Sequence, residues 1–129
     1  MTQLPMTTRH PDGLFLPRSY VCYRAIESFE IDGNLDKSVW QAASWTEPFE
    51  DHQAPNAPAP WRLTRAAMLW DDEAVYFAAR LQEENVWASI TERDTVIYHD
   101  NDFEVFLDVD ARGDKYYELE VNALNTVWD

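Results

Sequence analysis

Two short stretches near the end of the sequence carry the side chains most capable of acting together. In FEVFLD, Phe103, Val105 and Leu107 alternate with Glu104, Phe106 and Asp108; in the later YELEVNA, Tyr117, Leu119, Val121 and Ala123 alternate with Glu118, Glu120 and Asn122. Successive side chains of a strand point to opposite faces, so each stretch has one apolar face and one face of carboxylates or an amide. If the two strands are neighbours, Glu104 stands beside the Glu118, Glu120, Asn122 row. A solvated face is the ordinary meaning of acids at alternate positions. A row of acceptors with an amide also suits the hydroxyls of a sugar. Two carboxyls about 5 to 9.5 Å apart would further permit glycoside hydrolysis, with Glu104 working alongside Glu118 or Glu120.

A second acidic group lies between these stretches. DVDARGDKYYEL, Asp108 to Leu119, opens like an EF-hand loop, with Asp108, Asp110 and a glycine, Gly113, at the sixth place. Arg112 at the fifth place and Leu119 at the twelfth break that pattern, and strands flank it where helices belong. A turn between two strands is the better reading, with Asp108, Asp110 and Asp114 left as candidate ligands for a structural calcium. The three histidines, His10, His52 and His99, have no metal-binding spacing, and no serine sits in a nucleophile-elbow context. Among the aromatics, Trp40, Trp45 and Trp70 fall in apolar patterns and read as core. Trp61, Trp87 and Tyr98 lie in polar surroundings, and Tyr98 stands six residues before Glu104.

The elements that must position these residues follow from pattern and composition. Residues 1–22 read as an irregular arm and 23–129 as one domain, the size expected for a single core. Phe29 and Ile31 alternate as in a strand, Asp32-Gly33 signals a turn, and Leu35, Val39 and Trp40 have helical spacing. The stretch Pro55 to Pro60 reads as a surface loop. RAAMLW and AVYFAARL, separated by Asp71-Asp72-Glu73, predict a β-hairpin, against a rival helix over 72–84. Strands separated by turn signals, with little convincing helix, predict a mostly β sandwich of two antiparallel sheets. The last strand reads as running to Leu124, and NTVWD after it carries no turn or capping pattern, so the sequence is expected to be cut there.

Composition narrows the partners. Lys and Arg number 10 against 24 Asp and Glu, a net charge of −14, which argues against a nucleic-acid partner because phosphate binding relies on clustered cations. Aromatic residues make up 14% of the chain, more apolar area than a disordered segment usually carries. Cys22 is the sole cysteine, so no intrachain disulfide forms and the compartment stays undecided. No signal-peptide core is visible at the N-terminus, and no run approaches the roughly 20 apolar residues of a membrane span.

Together, IDGNLDKSVWQAASW, LWDDEAVYFAARLQEENVWASIT, DNDFEVFLD and YYELEVNALNTVWD resemble the family 9 carbohydrate-binding modules, especially the stand-alone family 9-like proteins, from about Tyr23 to Asp129. The resemblance implies an immunoglobulin-like β-sandwich that binds xylan- or glucan-type chain ends without catalysis. It also implies structural calcium, export from the cytoplasm, a role in polysaccharide degradation and a catalytic domain elsewhere in a longer protein. By position, a stacking tryptophan of the family falls on Tyr98, a ligand-contacting glutamate on Glu104 and a contacting asparagine on Asn122. A family arginine falls on Glu120, which reverses the charge and makes Glu120 a further candidate contact. The family domain continues for several strands past NTVWD, including its second stacking tryptophan.

Overall fold

In the computed structural model, residues 18–51 and 57–129 are described. Most of the proposed arm, His10, His52 and the start of the proline loop lie outside them. The fold is mostly β, as expected, with two three-stranded sheets and one five-residue helix. The chain divides into two compact units, Met1–Phe49 with Arg65–Ala78 and Glu50–Thr64 with Ala79–Asp129.

The first sheet has the order β1 (Tyr23–Arg24), β2 (Thr64–Trp70), β3 (Val75–Leu81). The predicted hairpin is present as β2 and β3, and the rival helix is not. Its turn is held by Asp71, whose carboxylate accepts the backbone N–H groups of Glu73 (2.8 Å) and Ala74 (3.0 Å) and the Tyr76 hydroxyl (2.8 Å). These three donors hold the Asp71 carboxyl below its ordinary value. One feature departs from an all-antiparallel sheet: β1 runs parallel to β2, Tyr23 opposite Leu69 and Arg24 opposite Trp70.

Helix α1 (Ser38–Ala42) directs Val39 and Trp40 inward, where they form a core with Ala67, Leu69 and Ala78. Phe29 packs edge-on against the Trp40 ring, centroids 5.4 Å apart, and against Tyr76 at 4.8 Å. Residues 28–31 make no strand, contrary to expectation. Phe29 is fixed by this aromatic packing, while Ile31 is 67% exposed and buries too little to anchor a pleated segment. Trp70, expected in the core, is 39% exposed. It has the opposite strand parity to Ala67 and Leu69, and its ring is covered by the Arg24 guanidinium at 5.3 Å.

The second sheet has the order β4 (Asp102–Leu107), β5 (Tyr117–Asn122), β6 (Val127–Trp128), all antiparallel. β5 stops at Asn122 rather than Leu124, and the unforeseen β6 follows through a tight turn with Asn125 at φ 62°. Asparagine tolerates that left-handed conformation better than most residues. The turn closes through the Asn125 N–H donating to the Asn122 carbonyl (3.0 Å) and the Asn122 N–H donating to the Thr126 carbonyl (3.1 Å). Among the described residues, no helix is long and apolar enough to cross a membrane.

Candidate functional site

The register of β4 on β5 decides which polar side chains meet. Glu104 pairs with Glu120, Asp102 with Asn122 and Phe106 with Glu118, so these six share one face of the sheet. On the other side of β5, Glu120 pairs with Trp128 of β6. One row therefore crosses all three strands: Glu104, Glu120, Trp128. Flanked on both sides, Glu120 is only 6% exposed, while Glu104 on the edge strand is exposed.

On β5 the polar side is better buried than the apolar one: Tyr117 and Leu119 are exposed and Val121 half-buried, whereas Glu118 is half-buried and Glu120 and Asn122 are buried. On β4 the order reverses, with Phe103 and Val105 half-buried and Glu104 and Phe106 exposed. Alternation correctly grouped the residues, but on the central strand the polar group is the one withdrawn from water.

Two kinds of polar group occupy the face. Asp100 and Asn122 form the first. The Asp100 carboxylate accepts the N–H groups of Ser89 (3.0 Å) and Ile90 (2.9 Å), the Ser89 hydroxyl (2.9 Å) and the Asn122 amide (2.9 Å). Burial by itself raises the Asp100 carboxyl, but these donors outweigh it and hold the group below its ordinary value. Asn122 donates a second amide proton to the Ile90 carbonyl (2.9 Å), and its Oδ1 accepts the N–H groups of Leu124 and Thr126 (3.0 Å each). An asparagine side chain has two N–H protons and two lone pairs on oxygen to offer. All four of Asn122's are engaged within the protein. The Thr126 hydroxyl joins the same network by donating to the Ile90 carbonyl (2.7 Å).

Asp102, Glu104 and Glu120 form the second kind. One carboxylate oxygen from each lies within 4.8 Å of the other two. Burial raises all three carboxyls above their ordinary values, and neighbouring carboxylates raise them further: Asp100 acts on Asp102, Asp102 and Glu118 on Glu104, and all three of Asp102, Glu104 and Glu118 on Glu120. Asp102 Oδ2 is fully withdrawn from solvent and accepts no hydrogen bond.

Tyr98 belongs to a 3₁₀ turn, Ile97–His99, that packs on β5 and is anchored by the fully buried Ile97. Its ring is 61% exposed and meets the His99 ring edge-on at 5.0 Å. The two other aromatics from polar surroundings are also exposed, Trp61 at 85% and Trp87 at 51%. The Arg62 guanidinium covers the Trp61 ring at 4.3 Å. An open recess of about 400 Å³ beside the turn is lined by Ile90, Thr91, Glu92, Thr95, Val96 and His99.

In the loop between β4 and β5, a cation already stands among the acids. Arg112 pairs with Asp110 and lies 4.0 Å from Asp114, while Asp108 accepts the Gly113 N–H at 2.7 Å. Ala111 (φ 53°) and Gly113 (φ 72°) bend the chain into this turn.

Sequence reasoning thus brought Glu104, Glu118, Glu120 and Asn122 to one face and missed Asp100, Asp102 and Trp128. Period-two spacing from Glu104 reaches Asp102 directly, once β4 is taken to start one residue before Phe103. Trp128 needed the turn at Asn125. Asp100 had no local signal, since its partners lie 10 and 22 residues away.

A family model described as carbohydrate family 9 binding domain-like matches residues 31–129. No curated protein and no solved structure matches the chain.

Proposed function

The chain belongs to the carbohydrate family 9 binding domain-like family, and from that premise we propose that it binds oligo- or polysaccharide of the xylan or glucan type at the polar face of β4 and β5. The observation that carries the reading is an exposed aromatic ring on an anchored turn that packs against the strand bearing this face. Tyr98 supplies an apolar ring face for a sugar, and Glu104 supplies an exposed carboxylate that accepts from its hydroxyls. Glu120, deeper in the same row, is a second acceptor for such a hydroxyl. Asn122 acts differently: with its hydrogen-bonding capacity spent on Asp100, Ile90, Leu124 and Thr126, it fixes the turn and the backbone beneath the site.

A neutral ligand is compatible with the charge of −14. The binding is non-catalytic in this reading, in keeping with a family described as a binding domain. Polysaccharide degradation and a catalytic domain elsewhere in a longer protein are the setting that this function suits.

Titration calorimetry of the 129-residue chain with xylo- and cello-oligosaccharides tests the proposal. Saturable binding to one series that is lost in Tyr98→Ala, with the melting transition retained, is the expected result. Binding unchanged in that variant would overturn the assignment of the site. Turnover of an aryl glycoside that disappears in Glu104→Gln would replace binding with hydrolysis.

A further inference from the structure

We propose that Phe106 and Tyr116 form a second aromatic subsite on the polar face of β4 and β5, so that the face takes a trisaccharide or longer stretch of chain rather than one terminal sugar. This subsite presupposes the sugar reading above and lengthens the ligand that it takes.

The polar side of β4 is interrupted at one position. Phe103, Val105 and Leu107 take one side of the strand, while Phe106 falls on the other with Asp102 and Glu104. A phenyl ring set among acids gains little from water, yet Phe106 is 52% exposed. Its cross-strand partner is Glu118, and the ring of Tyr116, two residues before Glu118, meets the Phe106 ring at 5.6 Å with the planes inclined by 62°. Tyr116 is likewise 55% exposed. An edge-to-face contact of this kind fixes the orientation of both rings, and with about half of each residue open to solvent, ring surface is left for a ligand.

The pair stands at the other end of the face from Tyr98. The turn Ile97–His99 leads into Asp100, whose carboxylate accepts the amide of Asn122, and Asn122 is the cross-strand partner of Asp102. Phe106 lies four residues further along β4, about 14 Å away at about 3.4 Å per residue, with Glu104 midway. One sugar cannot reach both ends. A chain with one sugar at each aromatic end and one between them, over Glu104, fills the face. The far end also combines the two groups that a sugar site uses: ring surface from Phe106 and Tyr116, and an acceptor from the half-buried Glu118 that Phe106 faces across the strands.

Other exposed rings are engaged differently. Trp61 has the Arg62 guanidinium over its ring at 4.3 Å and Trp70 has that of Arg24 at 5.3 Å, so a cation occupies a face that a sugar would use. Phe106 has an acceptor of hydroxyl protons as its cross-strand neighbour instead.

Titration calorimetry of the 129-residue chain with xylo- and cello-oligosaccharides, from the disaccharide to the hexasaccharide, reads the length of the site. In the series that binds, affinity should rise with length and level off once the ligand spans the face, the pentasaccharide binding about tenfold tighter than the disaccharide, a gain of about 1.4 kcal/mol. Phe106→Ala should remove most of that gain. Phe106→Leu keeps apolar bulk but has no ring, so it should behave like the alanine variant, and it decides the matter where Phe106→Ala loses its cooperative melt. Tyr98→Ala, by contrast, should lose ligands of every length. A parent chain that binds all lengths alike, or a length dependence that survives in Phe106→Leu, would overturn the second subsite and leave the sugar reading standing. A cooperative melt with no binding to either series would overturn both.

Discussion

The cores beneath the two sheets solve burial in opposite ways. Around β2 the buried groups are Val39, Trp40, Ala67, Leu69 and Ala78, whose side chains bring a single polar group, the Trp40 indole N–H. Around β5 the buried residues include Asp100, Glu120, Asn122 and Thr126, with Ile97 as the large apolar anchor. An apolar core is stabilised in proportion to the area it removes from water and needs no particular partner. A polar core must fill every lone pair and proton or lose stability for each one left over. The first kind of region makes a stable scaffold. The second is where a chain keeps groups that something else can satisfy.

The largest test of that contrast is Trp40→Ala. Removing a buried indole leaves a cavity bordered by Phe29 and the helix, and such truncations cost about 3 to 5 kcal/mol. Chemical denaturation should show a loss of that size. A loss below about 1 kcal/mol would mean that the apolar core does not carry the stability attributed to it.

Asn122→Ala comes next and probes the satisfied part of the polar core. It strips the Leu124 and Thr126 N–H groups and the Ile90 carbonyl of a partner and removes one of four donors to Asp100. Each buried group left unpaired costs about 1 to 3 kcal/mol, partly relieved by water entering the turn, so a net loss of about 3 kcal/mol is expected. Asn122→Asp should also destabilise, because it places another carboxylate against Asp100. If both variants melt with the parent chain, the hydrogen-bonded network is not what holds the β5–β6 turn.

Glu120→Gln has the opposite sign. Raised folded-state values mean that Asp102, Glu104 and Glu120 contribute stability that is fully present below their unfolded values, about pH 4. That contribution is lost as pH rises through the raised values and the carboxylates ionise against one another. Asp100, held low, does the reverse: its contribution is present above its unfolded value and is lost as pH falls through the folded one. In EDTA, melting temperature should therefore decline from mildly acidic toward neutral pH. Glu120→Gln should flatten that decline and melt higher than the parent chain at pH 7. A variant that melts lower at pH 7 in EDTA would show that the Glu120 charge is already compensated.

How much of this was readable beforehand depends on the range of the interactions. The β2–β3 hairpin and the shared face of Glu104, Glu118 and Glu120 follow from local alternation and turn chemistry, which a sequence displays directly. The strand expected at Phe29 failed because a single aromatic contact with Trp40 and Tyr76 can place a residue without pleating its neighbours. Trp70 was misplaced by hydrophobicity when its parity with Leu69 already put it on the other face. The hub at Asp100 was invisible because Ser89, Ile90 and Asn122 converge on it only after the sheet has formed. Burial of Glu120 and Asn122 was invisible too, since alternation separates two faces without saying which one water reaches.

The smallest expected effect sharpens the comparison most cheaply. Arg112→Ala removes the counter-charge from Asp110 and Asp114 and leaves Asp108, Asp110 and Asp114 as three uncompensated acids, superficially like the β4–β5 trio. Arg112 is 63% exposed, with partners at 49% and 63%, and pairs so well solvated contribute about 0 to 1 kcal/mol. A change within about 0.5 kcal/mol at moderate salt, with no new dependence on pH between 5 and 7, is the expected outcome. Three acids in water repel weakly because solvent screens them; Glu120, buried between two strands with Trp128 as its neighbour, has less of that relief toward Asp102 and Glu104. A large loss in Arg112→Ala would mean that counter-charge matters in the loop as much as in the sheet, and burial would cease to explain why the two acidic groups differ.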